Sequence, residues 1–202
     1  MPTPTEMTML TPTEKTMLTA TEIRQRFNLQ PNPAEGGFFA GTYTSTVQLP
    51  VSDLPGFSPA SKTRPLCGAI FYFLDTSTFS ALHRVTGDMI YHFYSGHAVE
   101  MLLLHPDGTA GTCIFGNDLA KNQIPMKVIP GGTWLGSRIK PGSGATPPPG
   151  SHPPPAVAYA LMGVTMAPGF DPVDYTIAKR EDLLREYSDK KIKDLIIALT
   201  RS

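Results

Sequence analysis

The chain has 202 residues, 41% of them hydrophobic and only 17% charged, with Lys+Arg and Asp+Glu both at 17 and a formal net charge of zero. That length suits one domain with a proper core, and the charge balance excludes the clustered basic surface that nucleic-acid binding needs. No apolar run approaches the ~20 residues that span a bilayer, and the N-terminus has Glu6, Glu14 and Lys15 among threonines where a secretory signal would be apolar.

Thr3-Pro4-Thr5-Glu6 recurs as Thr11-Pro12-Thr13-Glu14 and, in part, as Thr19-Ala20-Thr21-Glu22. A run this rich in Thr and Pro cannot bury a core, so residues 1–18 read as a flexible repeat tail and 19–202 as the folded domain. Thr19-x-x-Glu22 is a capping box ahead of Ile23, Phe27 and Leu29. It predicts a short helix over about 20–28, ended by Pro31 and Pro33. After Glu35-Gly36-Gly37 an extended run covers 38–47, and 50–65 reads as loop. Strands are expected at 67–74, 79–85, 89–94, 99–104, 112–115, 126–129, 132–139 and 156–166. His105-Pro106-Asp107-Gly108 is a turn signal, and residues 141–155 are a Pro-rich loop. A helical period emerges only at 181–187 and 190–200. Many short strands with helices confined to the ends predict an all-β sandwich or barrel. Cys67 and Cys113 form no CxxC and no disulfide framework, so the default compartment is the cytoplasm.

The middle of the chain carries a recognisable series. His83-Arg84-Val85-Thr86-Gly87-Asp88-Met89-Ile90-Tyr91-His92-Phe93-Tyr94 resembles the central motif of the cupin family with a DUF985 domain. Glu35-Gly36-Gly37, Glu100 to Leu104 with Pro106-Asp107-Gly108, Pro130 to Arg138, and Ala167 to Asp171 resemble four further family motifs in the right order. The resemblance covers about residues 20–200. It implies a double-stranded β-helix, the cupin jelly-roll barrel, with a short N-terminal helix and C-terminal helices, and often a homodimer. It implies no agreed reaction. Cupins usually hold a metal with two His and a Glu from the first motif and a later His. Here those positions are His83, Val85, Met89 and Leu135. A divalent ion needs several N or O ligands, so the expected barrel has no metal and no other cofactor, and an apolar interior.

Within that frame His83 is the candidate general acid or base, because imidazole titrates near neutrality. Period-two alternation puts Met89, Tyr91 and Phe93 on one face of their strand. Tyr91 is then a phenol that donates to a substrate oxygen, with Met89 and Phe93 as substrate contacts. Asp88 either orients His83, as a carboxylate does in a triad, or caps N–H groups of its turn. Trp134 and Arg138 share a face, and Arg138 pairs with a substrate carboxylate or with Glu100. Glu35 either lines the mouth or caps a turn. Phosphate-binding glycine loops and a G-x-S-x-G nucleophile are absent from the sequence. Three readings follow: a metal-independent isomerase, epimerase, cyclase or lyase acting on a small, largely apolar molecule, fitting specialised metabolism; a cupin that binds a small molecule without turning it over; or a structural dimer with an idle barrel. None involves nucleic acid or a membrane.

Overall fold

The computed structural model describes residues 18–142 and 157–201. The expected repeat tail and most of the Pro-rich loop lie outside the described residues. Helix α1 (Ala20–Arg26) begins where the capping box places it: Thr19 and Glu22 each bond the other's backbone N–H. Such a cap is worth about 1 kcal/mol.

The strands are β1 (Gln30–Pro31), β2 (Phe38–Thr44), β3 (Gln48–Pro50), β4 (Thr63–Pro65), β5 (Gly68–Asp75), β6 (Phe79–Arg84) and β7 (Asp88–Gly96). They continue with β8 (Val99–Leu104), β9 (Ala110–Phe115), β10 (Met126–Ile129), β11 (Trp134–Ile139), β12 (Tyr159–Ala167) and β13 (Thr176–Ile177). Helices α2 (Arg180–Glu186) and α3 (Lys190–Ala198) follow. The stretch 50–65, expected as loop, ends in β4, which pairs with β3 in a small two-stranded sheet.

The eight strands β5 to β12 are shared equally between two sheets, and only the hairpin β8–β9 keeps consecutive strands in one of them. One sheet runs β1-β2-β5-β12-β7-β10, the other β13-β6-β11-β8-β9. Every pairing among these strands is antiparallel, which is the wound jelly roll. The chain is therefore an all-β barrel with short terminal helices.

Alternation along the strands divides the apolar residues among three cores. Tyr72, Leu74, Met89, Tyr91, Phe93, Met101, Leu103, Leu135, Met162 and Val164 fill the space between the sheets. Leu82, Leu102 and Leu104 face outward and are covered by Leu183, Leu195, Ile196 and Leu199 of the C-terminal helices. Phe73, Tyr159 and Leu161 face outward on the other sheet and are covered by Ala20 and Ile23 of α1. Helix α1 thus buries one outer stripe and α2 with α3 the other, which stabilises by roughly 1.5–3 kcal/mol per large side chain removed from water. No described helix is long and apolar enough to cross a membrane.

Candidate functional site

The barrel is filled at one end and hollow at the other. At the filled end Phe93 meets Phe115 edge to face at 5.7 Å, and Tyr91 meets the same ring at 6.2 Å. At the hollow end lies a cavity of about 500 Å³, within the range of small-molecule sites. Ile70 and Tyr72 of β5, His83 of β6, Met89 and Tyr91 of β7, and Val164 and Met166 of β12 wall it. The 32–35 loop and the 169–175 segment form its lip.

His83 sits in this wall at 2% exposure. Its Nδ1 lies 2.8 Å from the Ala81 carbonyl. A carbonyl only accepts, so Nδ1 donates to it, and Nε2 is left on the cavity side. Nε2 lies 3.8 Å from Glu35 Oε2, near enough for an ion pair and too far for a direct hydrogen bond. A water, with two O–H donors, can therefore bridge the two. The Tyr175 ring stacks on the imidazole at 5.4 Å and 26°.

Glu35 reaches His83 because its loop is pinned to β6. Ala81 N–H donates to the Glu35 carbonyl at 2.8 Å, and the Ser80 hydroxyl donates to Glu35 Oε1 at 2.6 Å. Asn32 Oδ1 accepts from the Glu35 N–H, and Asn32 O accepts from the Gly36 N–H at 2.9 Å. Gly36 has φ +103°, and a Cβ there would lie 2.2 Å from Phe79 O. Only glycine lets the loop lie this close to β6.

Three phenols surround the carboxylate. Tyr72 donates to Gly36 O at 2.9 Å. Tyr175 has a buried hydroxyl with no hydrogen-bond partner among the described residues. Tyr91, 2% exposed, also bonds no acceptor among them. Burial, and then the negative Glu35, push all three phenols well above the usual tyrosine range. They are neutral donors at any working pH.

The cavity does not assemble the usual cupin metal ligands. Val85 and Met89 line it beside His83, and Leu135 lies directly across from His83 in the β6–β11 register. Among the described residues no three His, Cys, Asp or Glu side chains converge to hold a metal. One imidazole and one carboxylate leave a divalent ion short of protein ligands.

Other expected site residues stand elsewhere. Asp88 does not orient His83: it is exposed, and its Oδ1 accepts from Gly131 N–H at 2.8 Å, because β7 lies in the sheet opposite β6. Trp134 and Arg138 share a face, but it is the outer one, since Leu135 between them points inward. The Arg84 guanidinium covers the Trp134 ring at 4.5 Å. Arg138 is taken by Glu100 at 2.8 and 3.0 Å, its cross-strand partner. Phe93 faces inward as expected but at the filled end, away from the cavity lining. Met89, Tyr91, His83 and Glu35 do meet around the cavity. Sequence reasoning missed Tyr72, Ser80 and Tyr175. The parity of Ile70, Tyr72 and Leu74 carried a signal for Tyr72. Tyr175 follows the Ala167–Asp171 motif and comes to His83 only through the β13–β6 pairing.

This architecture, an antiparallel jelly roll with its cavity at one barrel end, is that of a cupin. Over residues 21–178 the chain matches the family described as Cupin superfamily (DUF985), and it belongs to that family. It is 28% identical over 156 residues to the uncharacterized protein YML079W of Saccharomyces cerevisiae, covering 75% of this chain and 71% of that one. Protein SO0799 from Shewanella oneidensis is similar in structure, with a TM-score of 0.71 and 26% identity over 92% of this chain and 99% of that one. A hypothetical protein from Leishmania major has a TM-score of 0.72 at 18% identity, covering 92% and 100%, a likeness of fold.

Proposed function

We propose that this cupin catalyses proton transfer on a small, largely apolar organic molecule, as an isomerase, epimerase, cyclase or lyase, without a bound metal. The observation that carries the reading is the placement of His83 Nε2 beside Glu35 in the wall of an apolar cavity. In this reading Nε2 takes the substrate proton, and the adjacent carboxylate stabilises the imidazolium that results. The Tyr91 phenol donates to the oxygen on which charge builds. Ser80, Asn32 and Ala81 hold Glu35 in register with His83. The working unit is a homodimer in the cytoplasm.

The test begins with metabolite profiles of cells with and without the gene. A compound that accumulates in the deletion is then given to purified protein. The expected result is conversion to an isomer or elimination product. His83→Ala should slow it on the order of 10²-fold or more, the usual scale for a general acid or base, and Tyr91→Phe about tenfold. Tight binding with the compound returned unchanged would make the protein a binding cupin instead.

A further inference from the structure

The charges around the cavity restrict what can enter it. Glu35 is the only Asp, Glu, Lys or Arg in the described lining, and it is nine-tenths buried. The nearby cations are committed elsewhere. Arg201 donates to Pro33 O at 2.8 Å. Arg64, fully buried behind Pro65, pairs with Asp174 at 2.6 Å and Asp171 at 3.3 Å. A carboxylate or phosphate seated here would lose its water and face the Glu35 carboxylate.

The polar groups that remain free are donors. The Tyr91 and Tyr175 hydroxyls have no acceptor among the described residues, and that of Tyr175 is fully buried; both residues line the cavity. A buried donor without an acceptor is costly, and a ligand oxygen would satisfy it. Around the mouth stand Phe39, Tyr43 and Phe170, more than a third exposed, which offer flat apolar faces to a ring.

We infer that the cavity takes an uncharged ring-bearing ketone, with the carbonyl oxygen received by Tyr91 and Tyr175, and that it turns away carboxylates and phosphates. The choice of a ketone rests on the proton-transfer reading above; the exclusion of anions does not. The chemistry balances without any co-reactant. The α-carbon proton passes to His83 Nε2, the C–H electron pair becomes the enolate double bond, and the carbonyl π pair moves to the oxygen held by the phenols. Return of the proton to the same or a conjugated carbon gives the epimer or isomer.

Three probes of one shape test this: 2-acetonaphthone, 2-naphthoate and 2-ethylnaphthalene, titrated into the full-length protein at pH 7.5 and followed by amide NMR shifts. The ketone should bind about tenfold more tightly than the hydrocarbon, the factor that one satisfied hydrogen bond supplies, and naphthoate should bind more weakly than the hydrocarbon. Tyr175→Phe, and separately Tyr91→Phe, should weaken the ketone several-fold and leave the hydrocarbon unchanged. Glu35→Gln should strengthen naphthoate about tenfold. The inference is overturned if naphthoate equals the ketone in the wild type, if the Phe variants weaken ketone and hydrocarbon alike, or if none of the three binds. Exchange of the methyl protons in D2O separates the two proposals. Selective ketone binding without His83-dependent exchange leaves the ligand class standing and removes the proton-transfer step.

Discussion

Tyr72 and Tyr91 are both almost wholly buried and both line the cavity, yet their hydroxyls have opposite circumstances. Tyr72 donates at 2.9 Å to the carbonyl of Gly36. That carbonyl has little freedom to find another donor, because Gly36 is held at φ +103° against Phe79 O. Tyr72→Phe therefore removes a hydrogen bond and strands its acceptor, a combined cost of about 2 kcal/mol. For a chain of this size the melting temperature should fall by about 4–8 °C. Tyr91→Phe removes a hydroxyl with no acceptor among the described residues, so stability should stay within about 0.5 kcal/mol of the parent. Urea titrations followed by far-ultraviolet circular dichroism measure both, with equal m-values as the check that the unfolded states match. Equal losses in the two variants, or a loss confined to Tyr91→Phe, would refute the reading of the cavity's hydrogen bonds.

Alkaline unfolding should begin once the pH passes the usual tyrosine value near 10. The native state keeps Tyr72 and Tyr91 protonated while the unfolded chain ionises, so stability is full below that pH and falls above it, by about 1.4 kcal/mol per pH unit for each phenol; a pH series of urea midpoints that stays flat to pH 11.5 would contradict this. Protein purified without chelator should carry far less than one equivalent of Zn, Fe, Mn or Ni by elemental analysis, because Val85, Met89 and Leu135 surround His83. One equivalent per chain would sink the metal-free proposal. Gly131→Ala should cost about 1–3 kcal/mol, since a Cβ there lies 2.0 Å from the Thr86 carbonyl. Gly111→Ala, with open space around it, should cost nothing in the same thermal melt.

Much of the fold was legible because local chemistry and the global barrel agree. Thr19 and Glu22 form the capping box that their spacing calls for. His105 to Gly108 close the turn with the Gly108 N–H bonded to the His105 carbonyl at 3.0 Å. The site was legible only where it depended on alternation. Parity placed Met89, Tyr91 and Phe93 on one face, but parity carries no depth, and Phe93 lies at the filled end of the barrel. Parity also grouped Trp134 with Arg138 without saying which sheet face they occupy. Only the register of Leu135 opposite His83 settles that. Asp88 lies near His83 along the chain, yet the two belong to different sheets. Glu35 meets Ser80 across 45 residues, a separation over which no periodicity carries information.

The way the Glu35 loop is fastened has a consequence for the order in which the chain is made. Synthesis releases that loop early, whereas the residues that hold it come later. Ser80 follows Glu35 by 45 residues, and Arg201 follows Pro33 by 168. The outer edge of β6 waits equally long, since Leu82 N–H bonds the Leu199 carbonyl at 2.7 Å. A nascent chain that has reached β12 can close both sheets around an apolar hollow while the wall bearing His83 still lacks its outer support. Completion of the site is thus a late event in the life of each molecule. A product terminated before residue 199 would retain the barrel's ladder but leave the Leu82 N–H bare and the Glu35 loop without its Arg201 tie.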